Sequence, residues 1–515
     1  MQFIEKLSQK ISINLFIYIL SITAGIFTWR VMDIRNDWIN VDSIIYLDAA
    51  NAIIQGHWHE AYQIYNWPFY PSLIALLAKI FEIDVLNSAK ILNIIFFSIT
   101  VFSLAKIVEQ INPNKVTLSY FALLLFGSKY IAGSILPMLL RDQGFWACLT
   151  TATLFLTRFL STRKFCYTLL WQFSIVLATL FRIEGAIYLA ILPLTIFWLE
   201  QNKRLATLDF LKLNSWLLVT AIATLTALPF LDVSITQFGR LNEVRPETIA
   251  GSISSLFMQR SEAMQPILGE FLMEYDQFSL GVALVFITLA KMIFAISIPV
   301  LIICTVYASD ARFNAKHLLP RHIKLILLAI LTTVILTSFA SILRSFVLSG
   351  RYLIPLAIFS IVVASVMLSN MLPAAKSFKR ILLIAIIGLF GLQLAKNIWS
   401  KPINYNYEKV AIDYLNHQKI ALNDVTILSP KASFYAHKAP INIACNSLNK
   451  WDCVSAYLEH TDHKSRFILV PMIVNKKTEG SAQLLKEKLP NYKTIMEFNN
   501  PQKNKKLILL ENTRP

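Results

Sequence analysis

The chain is short of charge and of cysteine, and each shortage excludes a class of protein. Only 15% of its 515 residues are Asp, Glu, Lys or Arg, while 56% are hydrophobic. A soluble multidomain protein of this length needs more charged surface, and the mean hydropathy of +0.55 marks most of the chain as lipid-embedded. Five cysteines are too few and too scattered for a disulfide scaffold, and none stands at metal-ligand spacing. Cys148, Cys166 and Cys304 read as small apolar fillers. Internal repeats and low-complexity tracts are also missing. The apolar run 11–27 follows only two lysines and has no small-residue cleavage pattern, so it reads as a retained first helix and not a cleaved signal.

The charge that is present leans one way. The 48 Lys and Arg against 31 Asp and Glu give a formal charge of +17. In a lipid-embedded chain such an excess points to cytoplasmic loops and anionic headgroups, and nucleic acid is not an expected partner. A spanning helix needs roughly 20 mainly apolar residues. Candidates fall at 11–30, 89–108, 116–137, 144–160, 165–181, 185–199, 213–231, 279–306, 323–343, 352–372 and 381–398, which makes eleven crossings. With the N-terminus inside, every inner loop is basic, as at Lys106 and Lys115 or Arg158, Arg163 and Lys164. Most acidic residues then fall outside. The first outer loop covers 31–88 and a long one 232–278, the latter a candidate lid. Within the first, 67–81 is apolar but short and opens on Pro68 and Pro71, which suits a surface or re-entrant helix.

From about residue 401 the composition turns polar. Short β-rich runs at 425–428, 467–474 and 507–510 alternate with helical stretches at 407–417 and 481–489, which predicts a small α/β domain over 401–515, on the outer side. Cys445 and Cys453 fall within it, on the oxidising side, at a spacing that a disulfide-closed loop permits. The expected whole is a polytopic α-helical membrane domain over 1–400 followed by that extracytoplasmic domain.

Ionisable groups at helix ends facing a bilayer cavity are expensive and usually serve a purpose. The first such group is Asp42, with Tyr46 and Asp48 on the following helical turns, leading through Ala49, Ala50 and Gly56 into a helix of amphipathic character. Asp42 also suits an N-cap, and the two roles are compatible. The others are Arg141-Asp142 at the start of the fourth crossing and Arg182-Ile183-Glu184-Gly185 in a tight hairpin, either of which an ion-paired cap would also explain. Arg344 and Arg351, the latter followed by Tyr352 and Pro355, bracket a short outer turn against the positive-inside trend. Paired guanidinium donors suit phosphate, whether of a substrate or of ordinary lipid.

In their order and shared outward placement these motifs resemble the GT-C superfamily of integral-membrane glycosyltransferases. The bacterial branch similar to protein O-mannosyltransferases and lipid A aminoarabinose transferases is the nearest in pattern. The matching runs are Asp42-Ser43-Ile44-Ile45-Tyr46-Leu47-Asp48-Ala49-Ala50 through Gly56, Trp67-Pro68-Phe69-Tyr70-Pro71, Arg182-Ile183-Glu184-Gly185 and Arg351-Tyr352-Leu353-Ile354-Pro355. The resemblance covers about residues 1–400. It implies transfer of a sugar, with inversion, from a polyprenyl-phosphate donor to a hydroxyl of a glycan, lipid or protein acceptor, at the outer face of a bacterial inner membrane.

In that reading Asp42 is the base, and Arg351 and Arg344, with Arg141 and Arg182, bind the donor phosphate. Asp142, Tyr46, Asp48, Glu184 and Tyr352 support the site or the acceptor. Ser43 stands where many members carry a second acidic residue, so Asp42 suits a lone base better than half of a metal pair. A divalent metal is compatible with the chemistry, but the sequence names no ligands for one. Two other readings stay open, a ligase or polymerase using diphosphate-linked glycans and a lipid or solute transporter. The transporter is disfavoured here because neither repeated halves nor interrupted helices are evident.

Overall fold

The computed structural model describes residues 11–34, 39–220, 246–269, 272–310, 318–346, 348–399, 406–438, 465–473, 489–500 and 505–513. Cys445 and Cys453 lie outside the described residues, as do 221–231 of the seventh expected crossing and 481–488 of the last expected helix. Two compact units emerge. One joins Met1–Val31 to Leu47–Trp399, and the other joins Met32–Tyr46 to Ser400–Pro515. The second unit therefore draws residues from both sides of residue 400, because compactness follows contacts and not chain order.

The larger unit is helical. Among its described residues six helices are long and apolar enough to cross a membrane: Ile13–Ile34, Val85–Ile111, Met273–Ile296, Arg321–Arg344, Gly350–Ala374 and Phe378–Trp399. The chain is on that ground an integral membrane protein. Other expected crossings differ in form. Lys115–Phe126 and Cys166–Phe181 are helices of 12 and 16 residues. The helix Asp142–Thr162 has 21 residues, packs on Cys166–Phe181 and Val85–Ile111, and carries buried Thr150, Thr153 and Thr157. Such threonines cost little here, because each hydroxyl donates to a carbonyl one turn back, as Thr153 does to Leu149 at 2.8 Å.

The expectation of uninterrupted helices is corrected. The run 276–308 breaks at Ser297, whose φ of 77° lies where side chains rarely go. Asp276–Ile296 ends there, and Ile298–Ala308 begins with Pro299 in its first turn. Pro cannot donate to the preceding turn, which gives the break its cause. Pro193 likewise sits in a 3-10 turn, Leu192–Leu194, that separates Gly185–Ile191 from Thr195–Leu199. Between Phe126 and Asp142 the chain leaves the α-helix and passes through a π turn at Ile131–Ile135.

Phe69–Phe81 is a 13-residue helix, short of a crossing as its length in sequence implied. Val41–Ile54 is a helix buried around most of its circumference. Asp42 is not its cap. Asn40 is: its Oδ1 accepts from the Ser43 amide at 2.7 Å and from the Ser43 hydroxyl at 2.6 Å. Asp42 occupies the first turn, where the helix dipole favours a carboxylate.

In the smaller unit, strands β1 (Val425–Ile427), β2 (Phe467–Ile473), β3 (Tyr492–Asn499) and β4 (Lys505–Asn512) form one sheet in the order β1-β2-β4-β3. β1 runs parallel to β2, and β4 pairs antiparallel with both β2 and β3. Both faces are covered. Phe467, Leu469, Leu507 and Leu509 pack with Ala411, Ile412 and Leu415 of the helix Tyr407–His417, while Ile468, Val470, Ile508 and Leu510 form the opposite core. The alternation of the two sets along each strand is the period of the pleat. β3 was not expected, because an edge strand exposing most of its side chains carries little hydrophobic signal. Leu509→Ala is expected to destabilise this unit by about 2–5 kcal/mol, and Ile495→Ala on the exposed edge by less than about 0.5 kcal/mol. Hydrogen exchange of the strand amides in the full-length protein measures both.

Candidate functional site

The described residues of the larger unit converge on one buried carboxylate. Asp142, the first residue of its helix, is 1% exposed. A charge so deeply buried must be neutralised, and the guanidinium of Arg182 does this by donating from Nη1 to Asp142 Oδ1. The same guanidinium grips Glu184 with two further donors, Nη2 to Oε1 at 2.9 Å and Nε to Oε2 at 3.2 Å. Its flat face lies over the Tyr352 ring at 4.4 Å, with the Phe145 ring at 5.8 Å. On the far side of the carboxylate, Arg351 Nη1 stands 3.7 Å from Asp142 Oδ2. That is a charge contact and not a hydrogen bond. Oδ2 accepts no hydrogen bond among the described residues.

Each partner is delivered by irregular backbone. Arg182 terminates the helix Cys166–Phe181 in an extended conformation, and the chain turns back at once, with the Gly185 amide donating to the Arg182 carbonyl at 2.8 Å. A Cβ at Gly185 would come within 2.6 Å of the Thr179 backbone nitrogen. The hairpin Arg182-Ile183-Glu184-Gly185 thus needs glycine for close approach of backbone to backbone. Arg351 sits on the 3-10 turn Gly350–Leu353. A Cβ at Gly350 would meet the buried Tyr130 hydroxyl at 2.2 Å, and that hydroxyl has no hydrogen bond among the described residues.

The segment leading to Asp142 is fastened by side chains that replace lost helical bonds. Gln143 Nε2 donates to the Met138 carbonyl at 2.7 Å, and its Oε1 accepts from the Leu140 amide at 3.2 Å. Asn93 also donates to Met138 O, at 3.1 Å, and accepts from the Tyr70 hydroxyl at 3.2 Å. Trp67 donates to the Leu180 carbonyl just before Arg182. The Trp-Pro-Phe-Tyr-Pro segment therefore braces both the Asp142 approach and the Arg182 hairpin.

Burial by itself would favour a neutral Glu184, but the Arg182 guanidinium, with a further contribution from Arg141, holds its carboxyl down at about 2. Arg141 is itself buried, 5.6 Å over the Tyr65 ring. Among the described residues three guanidinium groups, of Arg141, Arg182 and Arg351, gather around two carboxylates, Asp142 and Glu184. Arg351 is the accessible edge of this cluster, with 27% of the side chain exposed. Such an edge suits an anion. It does not suit a divalent cation, because both carboxylates are already directed at guanidinium groups. Among the described residues no three His, Cys, Asp or Glu side chains gather closely enough to hold a metal.

Of the residues singled out in the sequence, Asp142, Arg182, Glu184, Arg351 and Tyr352 are brought together, with Arg141 beside them. Arg344 is exposed on the last turn of Arg321–Ser345. Asp42, half-buried, and Tyr46, buried, belong to the smaller unit. Asp48 belongs to the larger one, and burial raises its carboxyl to about 6. No family model and no curated protein matches the chain. The case for a function therefore rests on these residues.

Sequence reasoning missed four contributors. Gln143 and Asn93 gave no signal, since one polar residue in an apolar helix does not announce its partner. Lys291 did give one, a lysine inside the apolar run 276–296, and its ammonium donates to the Leu348 carbonyl in the turn that precedes Arg351. Arg260, from the helix Pro246–Glu262 in the long outer loop, lies 5.8 Å over the Phe346 ring of the same turn.

Arg182→Met strands two buried carboxylates and is expected to cost roughly 3–5 kcal/mol, whereas Asp142→Asn leaves the Arg182–Glu184 pair intact and costs less. Equilibrium unfolding in detergent measures the difference. Because Glu184 is depressed in the folded state, its contribution is present above the unfolded value near 4.3 and is lost as pH falls toward about 2. Acid unfolding scans of Glu184→Gln are expected to be flatter than wild type over that window. Asp48 has the opposite sign. Its raised value makes ionisation destabilising as pH climbs from about 4 to about 6, so Asp48→Asn is expected to raise Tm at pH 7 and leave it nearly unchanged at pH 4.

Proposed function

We propose that the protein transfers a sugar from a polyprenyl-phosphate donor to an acceptor hydroxyl, with inversion at the anomeric carbon. The observation that carries this reading is the gathering of Arg182, Arg351 and Arg141 around Asp142 and Glu184, with the Arg351 guanidinium at the accessible edge. An acceptor oxygen attacks the anomeric carbon and forms the new C–O bond. The bond to the phosphate oxygen breaks, and polyprenyl phosphate departs with the electron pair. Arg351 meets the charge that develops on the leaving phosphate, and Arg182 and Arg141 add their field. The acceptor hydroxyl proton passes to a carboxylate, for which Asp42 is the candidate from the first motif. Asp142 holds the arginines in register.

In this reading the motif order resembling GT-C glycosyltransferases supplies the reaction class, and the site works at the outer face of a bacterial inner membrane. A glycan, lipid or protein serves as acceptor, and the C-terminal unit binds it or stabilises the outer face. A transporter is the second reading, and the helix break at Ser297 is the observation that favours it.

The test incubates membranes holding the protein with radiolabelled polyprenyl-phosphate sugars and follows label into an acceptor fraction. Wild type is expected to transfer label, Asp42→Asn to lose about 10²–10⁴-fold in rate, and Arg351→Gln about 10²–10³-fold. Undiminished transfer by Asp42→Asn removes the base assignment. Absence of transfer from any monophosphate donor removes the reaction, and label crossing the membrane unaltered supports the transporter.

A further inference from the structure

A second polar site is built into the larger unit, away from the Asp142 cluster and independent of the proposed reaction. At the end of the bundle where Ile13–Ile34 begins and where Val85–Ile111 and Asp142–Thr162 finish, a groove of about 810 Å³ opens between these helices. Tyr18, Lys106, Glu109, Gln110, Arg158 and Ser161 contribute to its wall. The positive-inside pattern expects this end on the cytoplasmic side.

The wall is not balanced in charge or in hydrogen bonding. Lys106 is satisfied, with its ammonium 2.9 Å from Glu109 Oε2 and a further bond to Asn14. That pair is neutral. Arg158, on the neighbouring helix Asp142–Thr162, makes no ion pair and no side-chain hydrogen bond among the described residues. Gln110 Nε2 is buried without a hydrogen-bond partner. One groove therefore combines an uncompensated guanidinium with an unsatisfied amide donor. Planar charged donors beside a neutral N–H match the oxygens of a phosphate group.

A further observation gives the ligand its tail. The Tyr18 ring stacks on Phe102 at 5.6 Å yet remains 54% exposed. Ile22 and Ile26, one and two turns further along the same helix, are 65% and 61% exposed. Ile99 and Ile95 are exposed on Val85–Ile111, which runs alongside, as Ser21 donating to the Ser98 carbonyl at 2.9 Å shows. An apolar track thus leads from the polar groove along the length of two membrane-length helices. A basic pocket between such helices is a known form of anionic-lipid site.

We propose that this groove binds the phosphate diester headgroup of an anionic phospholipid, with Arg158 and the Gln110 amide on the phosphate and an acyl chain along Tyr18, Ile22 and Ile26. Soluble phosphate offers the same headgroup chemistry without the tail, and the test separates the two.

Full-length protein purified in detergent is titrated with dioleoyl phosphatidylglycerol, dioleoyl phosphatidylcholine or inorganic phosphate, and bound species are counted by native mass spectrometry. Phosphatidylglycerol is expected to bind roughly fivefold more tightly than phosphatidylcholine, the effect of about one membrane-surface cation. Arg158→Gln breaks no ion pair and is expected to erase that preference, while Arg158→Lys retains most of it. Gln110→Leu, which removes only the amide, is expected to weaken both lipids alike, since both carry the phosphate diester, and to leave the preference between them unchanged. Lys203→Gln, an exposed cation on the separate helix Lys203–Leu213, is expected to behave as wild type. Equal binding of the two lipids overturns the proposal, as does a preference that survives Arg158→Gln or falls equally with Lys203→Gln. Binding of inorganic phosphate without lipid selectivity overturns the lipid assignment.

Discussion

A guanidinium buried between two carboxylates constrains the larger unit more than any other contact. Arg182 cannot be removed from water alone, nor can Asp142 or Glu184, so the three must be buried together and in hydrogen-bonding geometry. Meeting that condition requires the start of one helix, the end of a second and a tight hairpin to arrive at one point. Tyr352 then covers the exposed face of the guanidinium, and Arg351 completes the charge on Asp142. The cluster is a fixed arrangement, because moving any one member leaves a charge in an apolar interior.

The same economy explains the irregular backbone around it. A bundle of apolar helices offers no water to replace a missing helical hydrogen bond, so each break must be satisfied by a side chain. Gln143 and Asn93 do this for the approach to Asp142, and Lys291 does it for the turn before Arg351. These residues need not touch a ligand to matter. They hold the backbone in the one path that brings Asp142 and Arg351 together, which makes them positioning groups by their geometry.

The two polar features of the larger unit differ in how their charges are satisfied. Around Asp142 the charges are held by close partners, with Arg351 at the accessible edge. In the groove near the N-terminal helix the paired charges cancel and Arg158 is left over. A ligand of the first kind meets a preorganised field, which suits charge that develops during a reaction. One of the second kind supplies the missing partner, which suits stable occupancy.

Membrane character was legible in the sequence, because a run of some twenty apolar residues admits few other environments, and the strands β1, β2 and β4 were legible from their β-rich composition. Edge strand β3 was not, since exposed strands share the composition of loops. Three of the motifs that mattered could be picked out by their charge: Arg141-Asp142, the Arg182–Gly185 hairpin and the run that opens on Arg351. That Arg182 serves Asp142 and Glu184 at once, and that Asn40 and not Asp42 caps its helix, were tertiary decisions. Sequence records which residues carry charge or break a helix. Which charge meets which depends on how segments hundreds of residues apart close around each other, and burial then decides how strongly each meeting counts.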